Sequence, residues 1–269
     1  MLRSFVDRAE LPDARMVVFS NSLRESDRAL LRQCVGNRTV EFIDTRPQLR
    51  RLKGLPISHY TADAYTRIFA QEYFAENERL LFLDSDIVVN RSLSELASMS
   101  LEGRPLAAVP DTGKGQALHN GRLGRAPDAA FFNAGVLLID VKAWREQGIT
   151  DKALRWAHAH RAILEYADQD ALNAAIDGNF APLDATYNYG GFRTGGPRAS
   201  EDLTTPRIIH FMGITKPNIA GCEHSAVPLF IQHRQNTPWR DAPLTTPEQR
   251  DRAVRRRRLT SAVQMYFAH

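Results

Sequence analysis

The chain has 269 residues, of which 43% are apolar and 25% charged, and its formal net charge is +4. This is ordinary for a soluble globular protein and allows one large domain or two small ones. The only cysteines, Cys34 and Cys222, are far apart, which argues against disulfides and cysteine zinc sites and for a reducing compartment. No signal-peptide core or membrane-spanning apolar stretch is evident, so we expect a cytoplasmic protein.

Strands and helices alternate along the first 240 residues. Apolar runs predict strands at 15–19, 39–43, 80–84, 106–109, 131–139 and 207–211. Helical spacing predicts helices at 25–34, 61–73, 93–97, 149–165 and 168–176. The alternation indicates an α/β domain over residues 1–240, in which helices flank a sheet. Residues 241–269 are a separate basic tail, predicted to be helical over 247–268.

Two segments rich in glycine interrupt this pattern. The segment from Asp111 to Asp128 is too long for an ordinary connection, so it is predicted to be a mobile functional loop. The segment from Tyr187 to Pro197 is rich in Gly and Asn and is also predicted to be loop.

The most informative stretch runs from Leu80 to Asn90, where an apolar strand leads directly into Asp84 and Asp86. Sheets of this class bind ligands at the carboxyl ends of their strands. Two carboxylates there are unfavourable unless something positive neutralises them. A divalent cation that prefers oxygen ligands and carries a phosphorylated substrate would do so. The alternative is that both acids cap a turn by bonding to nearby backbone.

Two further motifs bear on this choice. His210 ends a predicted strand and is followed by Gly213 and Lys216. An imidazole can be a third metal ligand, a glycine permits close backbone approach and a lysine can meet phosphate. By itself, a histidine such as His210 is more often a core residue with its hydrogen bonds satisfied. In the second motif, Asp168 suits a helix N-terminus, whereas the following Gln169 and Asp170 have no evident structural duty.

Together these motifs resemble those of family 8 retaining glycosyltransferases, which include bacterial lipopolysaccharide galactosyl- and glucosyltransferases and glycogenin. Four motifs occur in the family's order: Leu83-Asp84-Ser85-Asp86, Phe132-Asn133-Ala134-Gly135-Val136, Asp168-Gln169-Asp170-Ala171-Leu172-Asn173 and His210-Phe211-x-Gly213-x-x-Lys216-Pro217. His59 and the pair Tyr65-x-Arg67 also resemble the family's segment before the Asp-x-Asp strand. The resemblance extends from the start of the chain to about Trp239.

The resemblance implies a GT-A fold with a mixed sheet, a Mn²⁺ ion and a nucleotide-sugar donor, most often a UDP-hexose. It makes Asp84, Asp86 and His210 the metal ligands, and the metal would act as a Lewis acid on the departing UDP. The implied donor-binding residues are Arg67, Asp84, Asn133, Ala134, Asp168, Gly213 and Lys216, the last two on the diphosphate. The implied catalytic residues are Gln169, Asp170 and Asp168, with Gln169 close to the anomeric carbon.

Retention of the anomeric configuration requires either a covalent intermediate, as in retaining hydrolases, or attack on the face that the leaving group departs from. Gln169 is an amide and hence a weak nucleophile, which favours front-face attack on a short-lived oxocarbenium ion. Asp170 is the alternative candidate for a covalent intermediate.

The chain departs from the family at two places. The family usually opens with a strand that ends in an Asp-rich turn on the nucleotide base, whereas Met1 to Phe5 resembles the helix that follows it. We therefore expect the opening strand, and with it part of the uridine site, to be missing. Asn218 stands where a tryptophan commonly follows Lys-Pro, so the acceptor site is expected to differ. Acceptor contacts are expected in the two glycine-rich segments.

The basic tail allows two interpretations. Arg255 to Arg258 and the apolar residues after them could form an amphipathic helix on anionic lipid, at the inner face of the membrane. Alternatively, the tail is a solvated or disordered end. Nucleic acid is not an expected partner, because no aromatic stacking platform accompanies the charge. The expected partners are a nucleotide-sugar donor and a saccharide or glycolipid acceptor.

Two other functions compete with Mn²⁺-dependent hexosyl transfer. One is a HAD-type phosphatase, in which the first Asp of a similar motif is a covalent nucleophile near the chain start. The downstream acidic pair of that class is not apparent here. The other is a catalytically impaired or non-catalytic nucleotide-sugar-binding protein on the transferase fold, suggested by the absent first strand.

Overall fold

The computed structural model describes residues 1–55, 62–111, 114–190, 202–213 and 216–252. Its strands are β1 Met16–Ser20, β2 Val40–Asp44, β3 Arg79–Leu83, β4 Ile87–Val89, β5 Leu106–Asp111, β6 Phe131–Asp140, β7 Ala181–Pro182 and β8 Ile208–His210. Its α-helices are α1 Leu2–Arg8, α2 Glu25–Gln33, α3 Arg46–Leu49, α4 Thr66–Phe69, α5 Ser94–Ser98, α6 Lys114–Arg122, α7 Val141–Glu146, α8 Ile149–Ala159, α9 Asp168–Ile176 and α10 Val227–Arg234. The predicted mixed α/β architecture is confirmed.

A mixed sheet of order β3-β6-β5-β7 forms the centre of the molecule. Strand β6 pairs antiparallel with β3 and β5, and β5 pairs parallel with β7. Side chains of β6 alternate between two buried clusters: Leu137 and Ile139 belong to one, Val136 and Leu138 to the other. Because successive side chains of a strand point to opposite faces, β6 is apolar on both sides and is buried on both.

Strand β6 bulges just before it meets the site. Leu137 pairs with Ala108, and Phe132 pairs with Pro110. Between these two pairs β6 advances by five residues while β5 advances by two. Proline has no N–H for a ladder and is tolerated in a sheet at bulges and edges. The bulge places Asn133, Ala134 and Gly135 out of regular register, and bulges next to active sites commonly re-aim side chains.

Two smaller pairs of strands complete the sheets. Strands β1 and β2 form a parallel pair. Strands β4 and β8 pair antiparallel, with Ile87 opposite His210 and Val89 opposite Ile208. Helix α1 lies against β4, where the Ser4 hydroxyl accepts a hydrogen bond from Val89 N at 3.0 Å. The interpretation of the first residues as a helix is therefore confirmed.

The prediction of a mobile loop from Asp111 to Asp128 is wrong over residues 114–122, which form helix α6. The buried Asn120 holds the chain after this helix, because its Nδ2 donates to the carbonyl oxygens of Pro127 (3.3 Å) and Ala129 (2.6 Å). Arg122, the last residue of this helix, also forms an ion pair with Asp170. These contacts outweigh the low helix propensity of the glycines.

Two predicted helices are shorter or more broken than expected. The helix predicted over 61–73 is 3-10 at 62–65 and 70–73 and α-helical only at Thr66–Phe69. The helix predicted to end at 165 ends at Ala159. Among the described residues, no helix has the length and apolar character needed to cross a membrane. His59, residues 191–197 and the basic run Arg255–Arg258 lie outside the described residues.

Candidate active site

Asp84, Asp86 and His210 come together at the ends of three strands. Asp84 follows β3, and its N–H donates to the carbonyl oxygen of Gly135 in the β6 bulge at 2.9 Å. Asp86 precedes β4, and its carbonyl oxygen accepts from Phe211 N at 3.0 Å. His210 Nε2 lies 3.3 Å from Asp86 Oδ1 and 3.7 Å from Asp84 Oδ2. One ligand atom from each residue lies within 4.8 Å of the others, a spacing that can hold a metal ion.

The His210 ring is enclosed by protein on its other side. Its Nδ1 lies 2.9 Å from Asn188 Oδ1, and Asn188 Nδ2 donates to Asn133 Oδ1 at 2.8 Å. A Cβ atom at Gly135 would lie 2.6 Å from His210 Nδ1, so only glycine leaves room for this ring position. Both His210 and Asn188 are buried.

Lys216 lies beside the acidic pair. Its Nζ forms an ion pair with Asp86 and donates to the carbonyl oxygen of Phe211 at 2.8 Å. Burial by itself would raise the pKa of Asp86, but the hydrogen bond and charge of His210, with those of Lys216, hold that pKa well below its usual range. Asp86 is therefore ionised at neutral pH and available as a ligand.

Buried Arg67 connects Asp84 to Asp168. Its Nη2 donates to Asp84 Oδ1 at 2.7 Å, and its Nη1 donates to the carbonyl oxygen of Ala134. Its Nε lies 2.6 Å from Asp168 Oδ2, but the Nε–H points to the carbonyl oxygen of Ala64 at 3.2 Å. Asp168 Oδ2 thus has a positive charge beside it and no hydrogen bond from any residue that the structure describes. A buried acceptor of this kind suits a hydroxyl of a bound ligand.

Backbone strain and burial both mark the start of helix α9. Ala167, directly before Asp168, has φ 51° and ψ −113°, a conformation that L residues rarely adopt and that clusters at functional sites. Burial raises the pKa of Asp168 to about 7, although the Arg67 guanidinium opposes the shift. Asp168 therefore changes its charge near neutral pH.

We expect Asp168→Asn to raise the melting temperature at pH 8 more than at pH 5. The pKa of a free Asp is ~4, whereas that of Asp168 in the folded protein is about 7, so the folded state binds the proton more tightly than the unfolded state does. Its contribution to stability is complete below pH ~4 and is lost as the pH rises to about 7. The uncharged amide has no such loss. Thermal unfolding of both proteins across this range measures it, and a gap that does not widen with pH would contradict the shifted pKa.

Gln169 and the β6 bulge are joined directly. Gln169 Oε1 accepts a hydrogen bond from Ala134 N at 3.0 Å, which fixes the orientation of the amide. Asn133 Oδ1 accepts from Gly135 N at 2.9 Å. The bulge therefore connects helix α9, through Ala134, to the predicted metal ligand Asp84, through Gly135.

Asp170 is completely buried and has several partners. Its Oδ1 pairs with Arg122 Nη2 at 2.7 Å, and its Oδ2 accepts the N–H groups of Glu165 and Tyr166, each at 2.9 Å. These contacts give Asp170 the structural duty that was not evident from the sequence. They hold helix α6 and the turn before α9 together.

Most of the predicted site residues therefore lie in one connected group. Gly213 follows β8 with φ 86°, a left-handed conformation that favours glycine. Asn188 is a member of this group that the sequence reasoning missed, because it falls in a segment interpreted as loop. The only signal was an Asn between two tyrosines, Tyr187 and Tyr189.

Comparison with known proteins identifies the scaffold. A family model described as "Glycosyl transferase family 8" matches residues 15–217, which include all of the predicted site residues. The chain belongs to glycosyltransferase family 8.

Individual relatives agree with this family assignment. General stress protein A of Bacillus subtilis is 27% identical over 214 residues, which are 74% of each protein. Lipopolysaccharide 1,2-glucosyltransferase of Escherichia coli K12 is 29% identical over 204 residues, which are 71% of this chain and 60% of that protein. The crystal structure of galactosyltransferase LgtC with donor and acceptor sugar analogs superimposes with a TM-score of 0.71 at 26% identity, covering 89% of this chain and 94% of LgtC. The GT-A fold expected for the chain is thereby confirmed.

Proposed function

We propose that this protein is a retaining hexosyltransferase that moves glucose or galactose from a UDP-sugar to a glycan or lipopolysaccharide-type acceptor, with Mn²⁺ as cofactor. The observation that carries the proposal is the convergence of Asp84, Asp86 and His210 beside the buried Arg67–Asp168 pair in a family 8 chain. The relatives named for glucosyl and galactosyl transfer support the choice of sugar.

The chemistry of the three ligands fits Mn²⁺. Carboxylates suit Mg²⁺, Ca²⁺ and Mn²⁺, whereas imidazole suits later transition metals. A set of two carboxylates and one imidazole fits a metal that accepts both kinds of ligand, and no thiolate contributes to the group. When bound, the cation would supply Lewis-acid stabilisation of charge on a diphosphate.

The donor sites follow from the same group of residues. Lys216 lies next to Asp86 and would meet the diphosphate, and Gly213 allows the backbone to approach it. Asp168 Oδ2 has no donor among the described residues and would accept a hydrogen bond from a sugar hydroxyl. Arg67 lies beside Asp168 and donates to the carbonyl oxygen of Ala134, and these two residues with Asn133 would complete the donor-sugar site.

The arrangement favours attack on the face from which UDP departs. The bond between the anomeric carbon and the β-phosphate oxygen breaks, the acceptor hydroxyl oxygen bonds to that carbon on the same face, and its proton passes to the departing phosphate. Gln169, held by Ala134 N, would border the oxocarbenium-like carbon. The contacts of Asp170 favour a positioning role over a covalent one.

The expected result of the first experiment is UDP release that requires Mn²⁺. The protein is incubated with Mn²⁺ and UDP-glucose or UDP-galactose, with and without lipopolysaccharide core acceptors, and released UDP and the anomeric configuration of the product are measured. Chelation by EDTA should abolish the release. No UDP release with any donor, together with nucleotide-sugar binding, would support the non-catalytic alternative.

A control separates the phosphatase hypothesis, which membership of family 8 already disfavours. Phosphate release from phosphate monoesters, without UDP release from UDP-sugars, would contradict hexosyl transfer.

The membrane contact predicted for Arg255–Arg258 stays a prediction.

A further inference from the structure

We propose that Asn188 is a positioning residue that sets the tautomer of His210, so that Nε2 presents its lone pair to the cation held with Asp84 and Asp86. The inference deepens the proposed function and uses the same cation site. It adds a residue outside the predicted metal and donor-binding sets.

The argument begins at a backbone group whose direction is fixed. The N–H of Gly135 can only donate, and it donates to Asn133 Oδ1 at 2.9 Å. The Asn133 amide therefore has its oxygen, not its nitrogen, on this side, because two donors would otherwise face each other.

The direction passes from Asn133 to Asn188. Asn133 Oδ1 already accepts from Gly135, and the second group beside it, at 2.8 Å, is the Asn188 side-chain amide. An oxygen there would face another oxygen, so Asn188 must present its NH₂ group. Its Oδ1 is then the atom that faces His210 Nδ1 at 2.9 Å. This amide chain (Gly135 N–H, Asn133, Asn188) leaves no free choice of orientation at either asparagine.

The last step concerns the imidazole. Because Asn188 Oδ1 can only accept, His210 Nδ1 must carry a proton in every charge state of the ring. Nε2, which lies 3.3 Å from Asp86 Oδ1 and carries a proton when the ring is charged, is then the only ring nitrogen that can release its proton and offer a lone pair to a cation. A metal-bound His commonly has its tautomer and ring orientation fixed by such an outer hydrogen bond. Burial of Asn188 and His210 keeps competing water away from this bond.

Two variants test the role of Asn188. Asn188→Ala removes the acceptor for Nδ1–H and should weaken Mn²⁺ binding by about 10- to 100-fold. Asn188→Asp loses the hydrogen bond to Asn133 Oδ1 but keeps an acceptor for Nδ1–H, so it should retain the Nδ1–H tautomer and bind Mn²⁺ more tightly than Asn188→Ala. The exposed Asn179, whose side chain donates to Gln147 Oε1 at 2.9 Å, supplies the control variant Asn179→Ala, for which no change is expected.

Two readouts are used, and neither requires sugar transfer. Mn²⁺ affinity is measured by electron paramagnetic resonance with the metal alone. The His210 tautomer is measured from ring ¹⁵N shifts of the metal-free protein at pH 8.5, with His210→Gln for assignment. The wild type should show Nδ1–H, and Asn188→Ala should show a larger share of Nε2–H.

The results separate this inference from the proposed function. Unchanged tautomer and affinity in a folded Asn188→Ala protein would overturn the inference alone. If Asn188→Ala does not fold, loss of the Nδ1–H tautomer in Asn188→Asp would overturn it. A wild type that binds Mn²⁺ and responds to these variants, yet transfers no hexose, would defeat the proposed function and leave the inference standing.

Discussion

Asp86→Ala should lower turnover by on the order of 10³-fold and abolish Mn²⁺ binding, while the protein stays folded. A Lewis-acid metal is worth several kcal/mol of transition-state stabilisation, and each 1.36 kcal/mol is about tenfold in rate. Asp86 is partly exposed, and its backbone bond to Phe211 N does not depend on the side chain. The measurements are UDP release, Mn²⁺ affinity and thermal unfolding of the same preparations.

The matched control is Asp151→Ala, an exposed aspartate in the first turn of helix α8. It should keep full turnover and Mn²⁺ affinity. Turnover of Asp86→Ala at the control's level would remove Asp86 from the metal site, and with it the proposed dependence on the cation.

Arg67→Met should destabilise the protein by about 3–5 kcal/mol, because removal of one partner leaves a buried charge uncompensated. Here Asp84 and Asp168 would both lose the arginine with which they form ion pairs. The double variant Arg67→Met/Asp168→Asn should recover part of that loss, since one of the two carboxylates is then neutral. Urea unfolding of the single and double variants at pH 8 measures both effects.

Arg51 provides a closely matched control. It also pairs with two carboxylates, Glu72 at 2.6 Å and Asp151 at 3.4 Å, and lies over a phenylalanine ring as Arg67 does. Its side chain is 40% exposed against 7% for Arg67. Exposed ion pairs contribute about 0–1 kcal/mol, so Arg51→Met should have little effect. Equal losses of unfolding free energy in Arg67→Met and Arg51→Met would show that the burial of Arg67 does not determine how much its removal destabilises the protein.

The sequence was sufficient to predict that the acids and the imidazole lie at strand ends. Asp84 and His210 each end an apolar strand, and strand ends are where α/β sheets bind ligands. The order of the motifs then identified the family. Direct pairing of Ile87 with His210 could not be read from the sequence, because register between distant strands depends on the whole sheet.

Two parts of the site depended on contacts that no local pattern shows. Helix α6 has three glycines within or just after it, and it is held by Asn120 and Arg122 through bonds to residues outside the helix. Asn188 gave no signal beyond its place between two tyrosines, since its role arises only when β8 brings His210 beside it. Tertiary contacts of this kind override local propensity.

The ladder between β4 and β8 also bears on how the protein is made. It joins residues more than 100 positions apart, so its formation closes a long loop, and such pairings form slowly. On the ribosome, the two aspartates emerge long before the histidine that completes the proposed ligand set. A nascent chain would therefore expose an incomplete chelate, and the proposed cation could stabilise the protein only after the last strand has docked.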